Sequence, residues 1–163
     1  MDPHHHPIVY LFVHVIWSVD RREPLLSKPV RRVLFAHMQK DGEEKGLKIV
    51  AVGGVEDHVH CLVQLMPSQN LVQVVKSIRT ASARWLNETR LLSGGARPAA
   101  DSGNAGSVAA DASFEWEEGY AAYSVSPSGV KQVIEYIGKQ EEYHQSKTLE
   151  SELEIVSRFK ESL

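Results

Sequence analysis

The most informative stretch of this chain is Glu56-Asp57-His58-Val59-His60-Cys61-Leu62-Val63. Its flanks, residues 49–55 and 61–65, are rich in β-branched and apolar side chains, which favours a β-strand. Side chains two positions apart leave the same face of a strand, whereas on a helix they diverge by about 200°. His58 and His60 are therefore predicted to point to the same side, as ligands of one metal ion or as neutral core histidines.

The type of metal is limited by the cysteine content. Cys61, the only cysteine, alternates onto the opposite face of the predicted strand, and no Cys-x-x-Cys pair occurs. A site with soft thiolate ligands is therefore not expected, and a bound ion should be borderline to hard.

A second informative stretch, residues 124–144, predicts a helix. Ser126 is a plausible N-cap and Pro127 suits the first helical position. An apolar stripe that could pack on a sheet is formed by Val130, Val133, Ile134 and Ile137. Tyr136 and Gln140 lie one turn apart at its edge, so both can reach the same small volume. Tyr136 could equally be a boundary aromatic, and Tyr143 and His144 are rivals for any role given to it.

Several ordered segments carry a resemblance to a known family. They are residues 12–18 followed by 21–25, Asp57-His58-Val59-His60, Trp116-Glu117-Glu118-Gly119-Tyr120, and residues 124–128 leading into 136–142. In these segments the chain resembles the single-tyrosine HUH transposases of small bacterial insertion sequences and their REP-associated relatives. HUH denotes His, hydrophobic, His. The resemblance covers nearly the whole chain.

The resemblance implies a site and a reaction. His58, His60 and Gln140 would bind Mg²⁺ or Mn²⁺, and Tyr136 would be the nucleophile. The family recognises DNA hairpins, cleaves single-stranded DNA through a 5′-phosphotyrosine, frees a 3′-hydroxyl and later rejoins strands. A phenol with a pKa near ~10 needs the charge neutralisation that a divalent ion supplies. The resemblance also implies a symmetric homodimer with active sites formed in trans.

The predicted order of elements is strand, helix, strand, strand, helix, strand, helix. The strands are placed at 9–19, 47–55, 58–66 and 114–124, and the first two helices at 28–45 and 71–92, the first capped by Ser27. This order fits an α+β fold with a ferredoxin-like (RRM-like) antiparallel sheet and packed helices, the arrangement of HUH nucleases.

Composition predicts one domain over residues 1–163. The chain is 42% hydrophobic, has one cysteine, and contains no secretory signal or apolar run long enough for a membrane, so the cytoplasm is the expected compartment. Residues 1–7 are predicted to be a disordered leader. The Gly-, Ala- and Ser-rich residues 93–111 are predicted to form a flexible insertion loop.

The net charge of −3 gives no general basic signature for nucleic-acid binding. Basic residues are nevertheless clustered, and Lys76, Arg79, Arg21 and Arg22 are predicted to contact DNA phosphates. Two other functions stay open. One is a domesticated relative that binds DNA hairpins without transposition, and the other is a metal-dependent phosphoesterase that uses water in place of Tyr136.

Overall fold

A computed structural model describes residues 8–92 and 113–157. Within these ranges the strands are β1 (Leu11–Ser18), β2 (Lys48–Gly54), β3 (His58–Leu65) and β4 (Ala121–Val125). The helices are α1 (Lys28–Glu44), α2 (Leu71–Thr89), α3 (Val130–Gly138), α4 (Gln140–Tyr143) and α5 (Leu149–Ser157). The predicted leader, residues 1–7, and the whole predicted loop, residues 93–111, lie outside the described residues.

The four strands form one antiparallel sheet in the order β2-β3-β1-β4. This order confirms the predicted ferredoxin-like topology, in which the first and third strands are central. β3 lies between β2 and β1. In β1, Ser18 lies opposite His58 and Ile16 lies opposite His60. The predicted strand with two histidines is therefore at the centre of the sheet.

One face of the sheet packs against α1 and α2 and forms the main core. Val15 and Trp17 of β1 and Val59 and Cys61 of β3 contribute their side chains to it. Asn70 caps α2, since its side-chain oxygen accepts hydrogen bonds from the backbone N–H groups of residues 72 and 73. Because side chains alternate along a strand, His58 and His60 are directed to the other face.

The second face is covered by α3. Ile137 packs there with Ala51 and Leu62, and Val130, Val133 and Tyr136 surround this smaller cluster. The approach of α3 requires a glycine in β2, because a Cβ atom on Gly53 would lie 2.2 Å from the Ile137 carbonyl oxygen. Gly53 thus sets how closely α3 and the segment that follows it lie to the histidines.

The predicted boundaries are wrong in two places, and one residue of the predicted apolar stripe is exposed. β4 begins at Ala121 rather than at residue 114, because Phe114 and Trp116 turn into the main core before the strand starts. The predicted helix over 126–144 is a turn of 3₁₀ helix, then α3, then α4, with the break at Lys139. Ile134 leaves the predicted apolar stripe and is 39% exposed.

Helix α5 was not predicted from the sequence. Its described side chains include Leu149 and Glu152, which are both buried against the rest of the chain. No helix in the described ranges is long and apolar enough to cross a membrane.

Replacing Gly53 by Ala is expected to destabilise the protein by about 1–3 kcal/mol, because the added methyl group overlaps backbone of α3 that cannot move without unpacking Ile137. Urea unfolding measures the change. Gly119→Ala is the matched control, since a Cβ at that position meets nothing within 4 Å. Equal stability of the two variants would contradict the tight docking of α3.

Candidate metal centre and active site

His58 and His60 are the buried centre of the site. Their side chains are 1% and 0% exposed, and their ring centroids lie 5.2 Å apart on the face that α3 covers. The predicted shared direction of the two imidazoles is confirmed. Their burial requires that each ring nitrogen find a partner, because an unpaired polar group in a protein interior is costly.

Asp57 fixes the orientation of His58. One carboxylate oxygen of Asp57 lies 2.7 Å from Nδ1 of His58, and the other accepts a 2.9 Å hydrogen bond from Arg22. The hydrogen bond with His58, helped by Arg22, lowers the pKa of Asp57 to about 2, so the group is a carboxylate at neutral pH. Nδ1 of His58 therefore carries the proton, and Nε2 is directed into the site.

His14 plays the corresponding part for His60. Nε2 of His14, in β1, lies 2.8 Å from Nδ1 of His60. Burial, together with the nearby His60, lowers the pKa of His14 to about 3, and burial holds the pKa of His60 well below its usual value. Both rings are therefore neutral at pH 7, and one of the two nitrogens donates the hydrogen bond between them.

The segment after α3 adds two further groups. Nε2 of His144 lies 3.1 Å from Nε2 of His58, and the Glu152 carboxylate of α5 lies 3.1 Å from His144 and 3.4 Å from His60. One ligand atom from each of His58, His60, His144 and Glu152 falls within 4.8 Å of all the others. These residues form a cluster that could hold a metal ion.

Gln140 lies at the edge of this cluster. It is almost fully buried, and its Nε2 is 3.4 Å from both the Tyr136 carbonyl and Oε1 of Glu152. Its neighbour Glu141 accepts a hydrogen bond from the buried Arg31 of α1, which anchors α4 against the rest of the fold.

The residues present fit a bound cation. Three buried atoms in the site lack a hydrogen-bond partner: Nε2 of His60, Oε1 of Gln140 and Oε2 of Glu152. Burial raises the pKa of Glu152 to about 7, and the nearby His58 offsets only part of that shift. Imidazole nitrogens with carboxylate and amide oxygens are a donor set for borderline to hard divalent ions.

Two tyrosines lie beside the cluster. The ring of Tyr136 is 5.8 Å from that of His60 and 6.1 Å from that of His14, centroid to centroid. Tyr143 meets Tyr136 edge to face at 5.2 Å and also contacts His144. Tyr136 is the one in contact with a histidine of β3, so the structure brings together Tyr136, Gln140, His58 and His60 as the sequence predicted.

The predicted DNA-contacting residues are dispersed. Lys76 is exposed on α2, and Arg79 donates hydrogen bonds to the carbonyls of Glu117 and Glu118. Arg21 is exposed and pairs loosely with Asp20, whereas Arg22 pairs with Asp57 and Glu150. Their contacts with phosphate stay predictions, and Arg22 additionally has a role in holding Asp57.

The family model described as "Transposase IS200 like" matches residues 8–93, just over half of the chain. The chain belongs to this family. The transposase of the insertion sequence ISDra2 from Deinococcus radiodurans, TnpA, is 31% identical to it over 77 residues. The match covers 47% of this chain, and the chain spans 55% of the length of that relative.

Two solved structures share the fold. A crystal structure from Deinococcus radiodurans, described as that of a candidate transposase, has a TM-score of 0.58 at 23% identity, covering 86% of this chain and 98% of that one. A REP-associated tyrosine transposase bound to a REP hairpin has a TM-score of 0.53 at 13% identity, covering 88% and 74%. The HUH nuclease fold implied by the sequence is thereby confirmed for this IS200-like chain.

Sequence reasoning missed three residues of the site. His14 alternates with Val13 and Val15 of the core face, so strand periodicity could have placed it on the opposite face of the sheet, although not beside His60. His144 was considered only as a rival to Tyr136. For Glu152 the available signal is Leu149 three positions earlier, which gives the spacing of a helix face that packs on the protein.

Replacing Asp57 by Asn is expected to weaken divalent-metal binding by about 10–100-fold, because loss of the carboxylate behind His58 frees the ring and lowers its basicity. Isothermal titration with Mn²⁺ measures the change. Asp41→Asn is the control, since Asp41 pairs with Lys45 on the surface of α1. If the Asp57 variant binds Mn²⁺ as tightly as the unchanged protein, His58 oriented by Asp57 is not a metal ligand.

Proposed function

We propose that this protein is a metal-dependent transposase that cleaves and rejoins single-stranded DNA through a 5′-phosphotyrosine on Tyr136. The observation that carries the proposal is the position of Tyr136 in ring contact with His60, beside a buried cluster of metal-binding groups, in a chain of the IS200-like transposase family. A metal site with a purely structural role does not need a phenol beside it. Beside a metal ion that binds phosphate, the phenol oxygen can act as the nucleophile that attacks phosphorus.

The cleavage step uses the Tyr136 hydroxyl group. Its oxygen forms a bond to the scissile phosphorus while the bond from phosphorus to the 3′-oxygen breaks. The phenol proton passes to water, and the departing 3′-oxygen takes a proton from water to become a 3′-hydroxyl. Attack of a 3′-hydroxyl on the phosphotyrosine reverses these changes and reseals a strand.

Mg²⁺ or Mn²⁺ is the proposed cofactor. His58 and His60 supply nitrogen ligands through Nε2, and the unpartnered Oε1 of Gln140 is the candidate oxygen ligand. When bound, such an ion neutralises charge on the scissile phosphate and orients it for attack. Asp57 and His14 hold the two imidazoles in position from behind.

A DNA hairpin is the proposed partner. The REP-associated transposase that shares the fold is bound to a hairpin, and this chain offers the exposed Lys76 and Arg21 as cations for phosphate. Arg79 is partly engaged by backbone carbonyls, so its contact with DNA would add to a structural role.

Homodimerisation with sites in trans remains a prediction. In the described chain α3 packs on its own sheet, and one chain supplies Tyr136 together with His58, His60 and Gln140. This arrangement favours a site formed in cis. An exchange of α3 and the following helices across a two-fold axis would preserve the same contacts between subunits.

Tyr136→Phe is expected to abolish covalent attachment to hairpin-bearing single-stranded DNA in Mn²⁺, while binding of DNA and metal is retained, because only the nucleophilic oxygen is removed. Denaturing electrophoresis and mass spectrometry detect the adduct. Tyr143→Phe is the matched control, since Tyr143 contacts the rings of Tyr136 and His144 whereas Tyr136 contacts that of His60.

Each other outcome of that comparison contradicts part of the proposal. An adduct that persists in Tyr136→Phe and is lost in Tyr143→Phe identifies the wrong tyrosine. Metal-dependent cleavage without any adduct in the unchanged protein indicates a phosphoesterase that uses water. Hairpin binding without cleavage indicates a DNA-binding protein that has lost transposition.

Mixing a His58→Ala/His60→Ala protein with a Tyr136→Phe protein distinguishes the two assemblies. Each protein alone is expected to be inactive, because each lacks metal ligands or the nucleophile. Sites formed in trans recover cleavage in the heterodimer, where one complete site is present. If subunit exchange is verified by differently sized tags and activity stays absent, the trans arrangement is excluded.

A further inference from the structure

We propose that His144 and Glu152 complete, with His58 and His60, a closed four-ligand site that binds a Zn²⁺-class divalent ion in the absence of DNA. The inference deepens the proposed function, because it shares His58 and His60 with it. It adds His144 and Glu152 as ligands, and it adds a DNA-free state in which neither a phosphate nor Gln140 binds the ion.

The protonation of two of the rings is set by partners outside the cluster. Nδ1 of His144 lies 2.8 Å from the backbone carbonyl of Lys147, and a carbonyl only accepts, so Nδ1 carries the proton. Nδ1 of His58 donates to the Asp57 carboxylate in the same way. In each ring Nε2 is therefore the nitrogen that points into the cluster.

The two Nε2 atoms face each other. Nε2 of His58 and Nε2 of His144 are 3.1 Å apart. A cation bound beside both nitrogens would take up the lone pair of each. Second-sphere hydrogen bonds of this kind are the usual way in which proteins fix the tautomer of metal-binding histidines.

Glu152 supplies the negative charge. One of its oxygens lies 3.1 Å from Nε2 of His144 and 3.9 Å from Nε2 of His58, and the other lies 3.4 Å from Nε2 of His60. Two ligands held about 2.1 Å from one ion at tetrahedral angles are about 3.4 Å apart. These three separations scatter around that value, and all four ligand atoms lie within 4.8 Å of one another, so small side-chain shifts would bring them onto one ion.

Gln140 is outside this set. Its Nε2 faces Oε1 of Glu152, so the amide supports the carboxylate in place of acting as a ligand. Four protein ligands leave no open position on a tetrahedral ion. A phosphate can reach the ion only when Glu152 withdraws, and Glu152 lies on α5, a helix separate from the sheet that carries His58 and His60.

The test is Co²⁺ titration of the DNA-free full chain, with affinity and visible absorption as readouts. A tetrahedral site gives intense visible bands, whereas an octahedral site that keeps several waters gives weak ones. His144→Ala and Glu152→Gln are each expected to lose the intense bands and to bind Co²⁺ at least about tenfold more weakly. Glu154→Gln, the same exchange at an exposed position two residues along α5, is the matched control and should behave as the unchanged protein.

Weak bands in the unchanged protein, or full affinity in both His144→Ala and Glu152→Gln, would overturn the inference. Circular dichroism confirms that each variant is folded. Failure of the proposed function is seen separately, because Tyr136→Phe should keep the Co²⁺ spectrum whether or not the tyrosine forms an adduct.

Discussion

Burial of β3 on both faces is the constraint on which the rest of this structure depends. Seven of its eight residues are buried, because β1 and β2 flank it and helices cover both sides of the sheet. One face carries Val59, Cys61 and Val63 into the main core. The other carries two histidines, which a protein interior accepts only if their polar atoms are satisfied.

Hydrogen bonds to residues outside the cluster satisfy the Nδ1 atoms, while the Nε2 atoms point into the cluster. Nδ1 of His58 is hydrogen-bonded to Asp57, and Nδ1 of His60 is hydrogen-bonded to His14. Nδ1 of His144 donates to the backbone carbonyl of Lys147. Each ring is thereby fixed in a single orientation, and the Nε2 atoms converge. Nε2 of His60 and Oε2 of Glu152 are buried without a hydrogen-bond partner, which fits ligand atoms that are oriented for an ion.

Charge explains why an acidic protein can belong to a family whose members act on DNA. The net charge is −3, and the carboxyl groups of Glu152 and Asp57 both lie at the site, where they would oppose the approach of a phosphate. The proposed divalent ion would reverse that local sign. Arg22 offsets Asp57 at the same time, and its backbone adopts a positive φ of 54°, a strained conformation of the kind that collects at functional sites.

The sequence by itself determined the strand that carries His58 and His60, the ferredoxin-like order of elements, and the grouping of Tyr136 with Gln140, because periodicity and start signals are local. Only the tertiary structure decided that His14 and Glu152 belong to the same site, since they are 46 residues before and 92 residues after His60 along the chain. It also decided the break at Lys139 and the late start of β4, where Trp116 packs into the core instead of extending the strand. Long-range packing and hydrogen bonding choose among local conformations of similar energy, and no pattern of neighbouring residues records that choice.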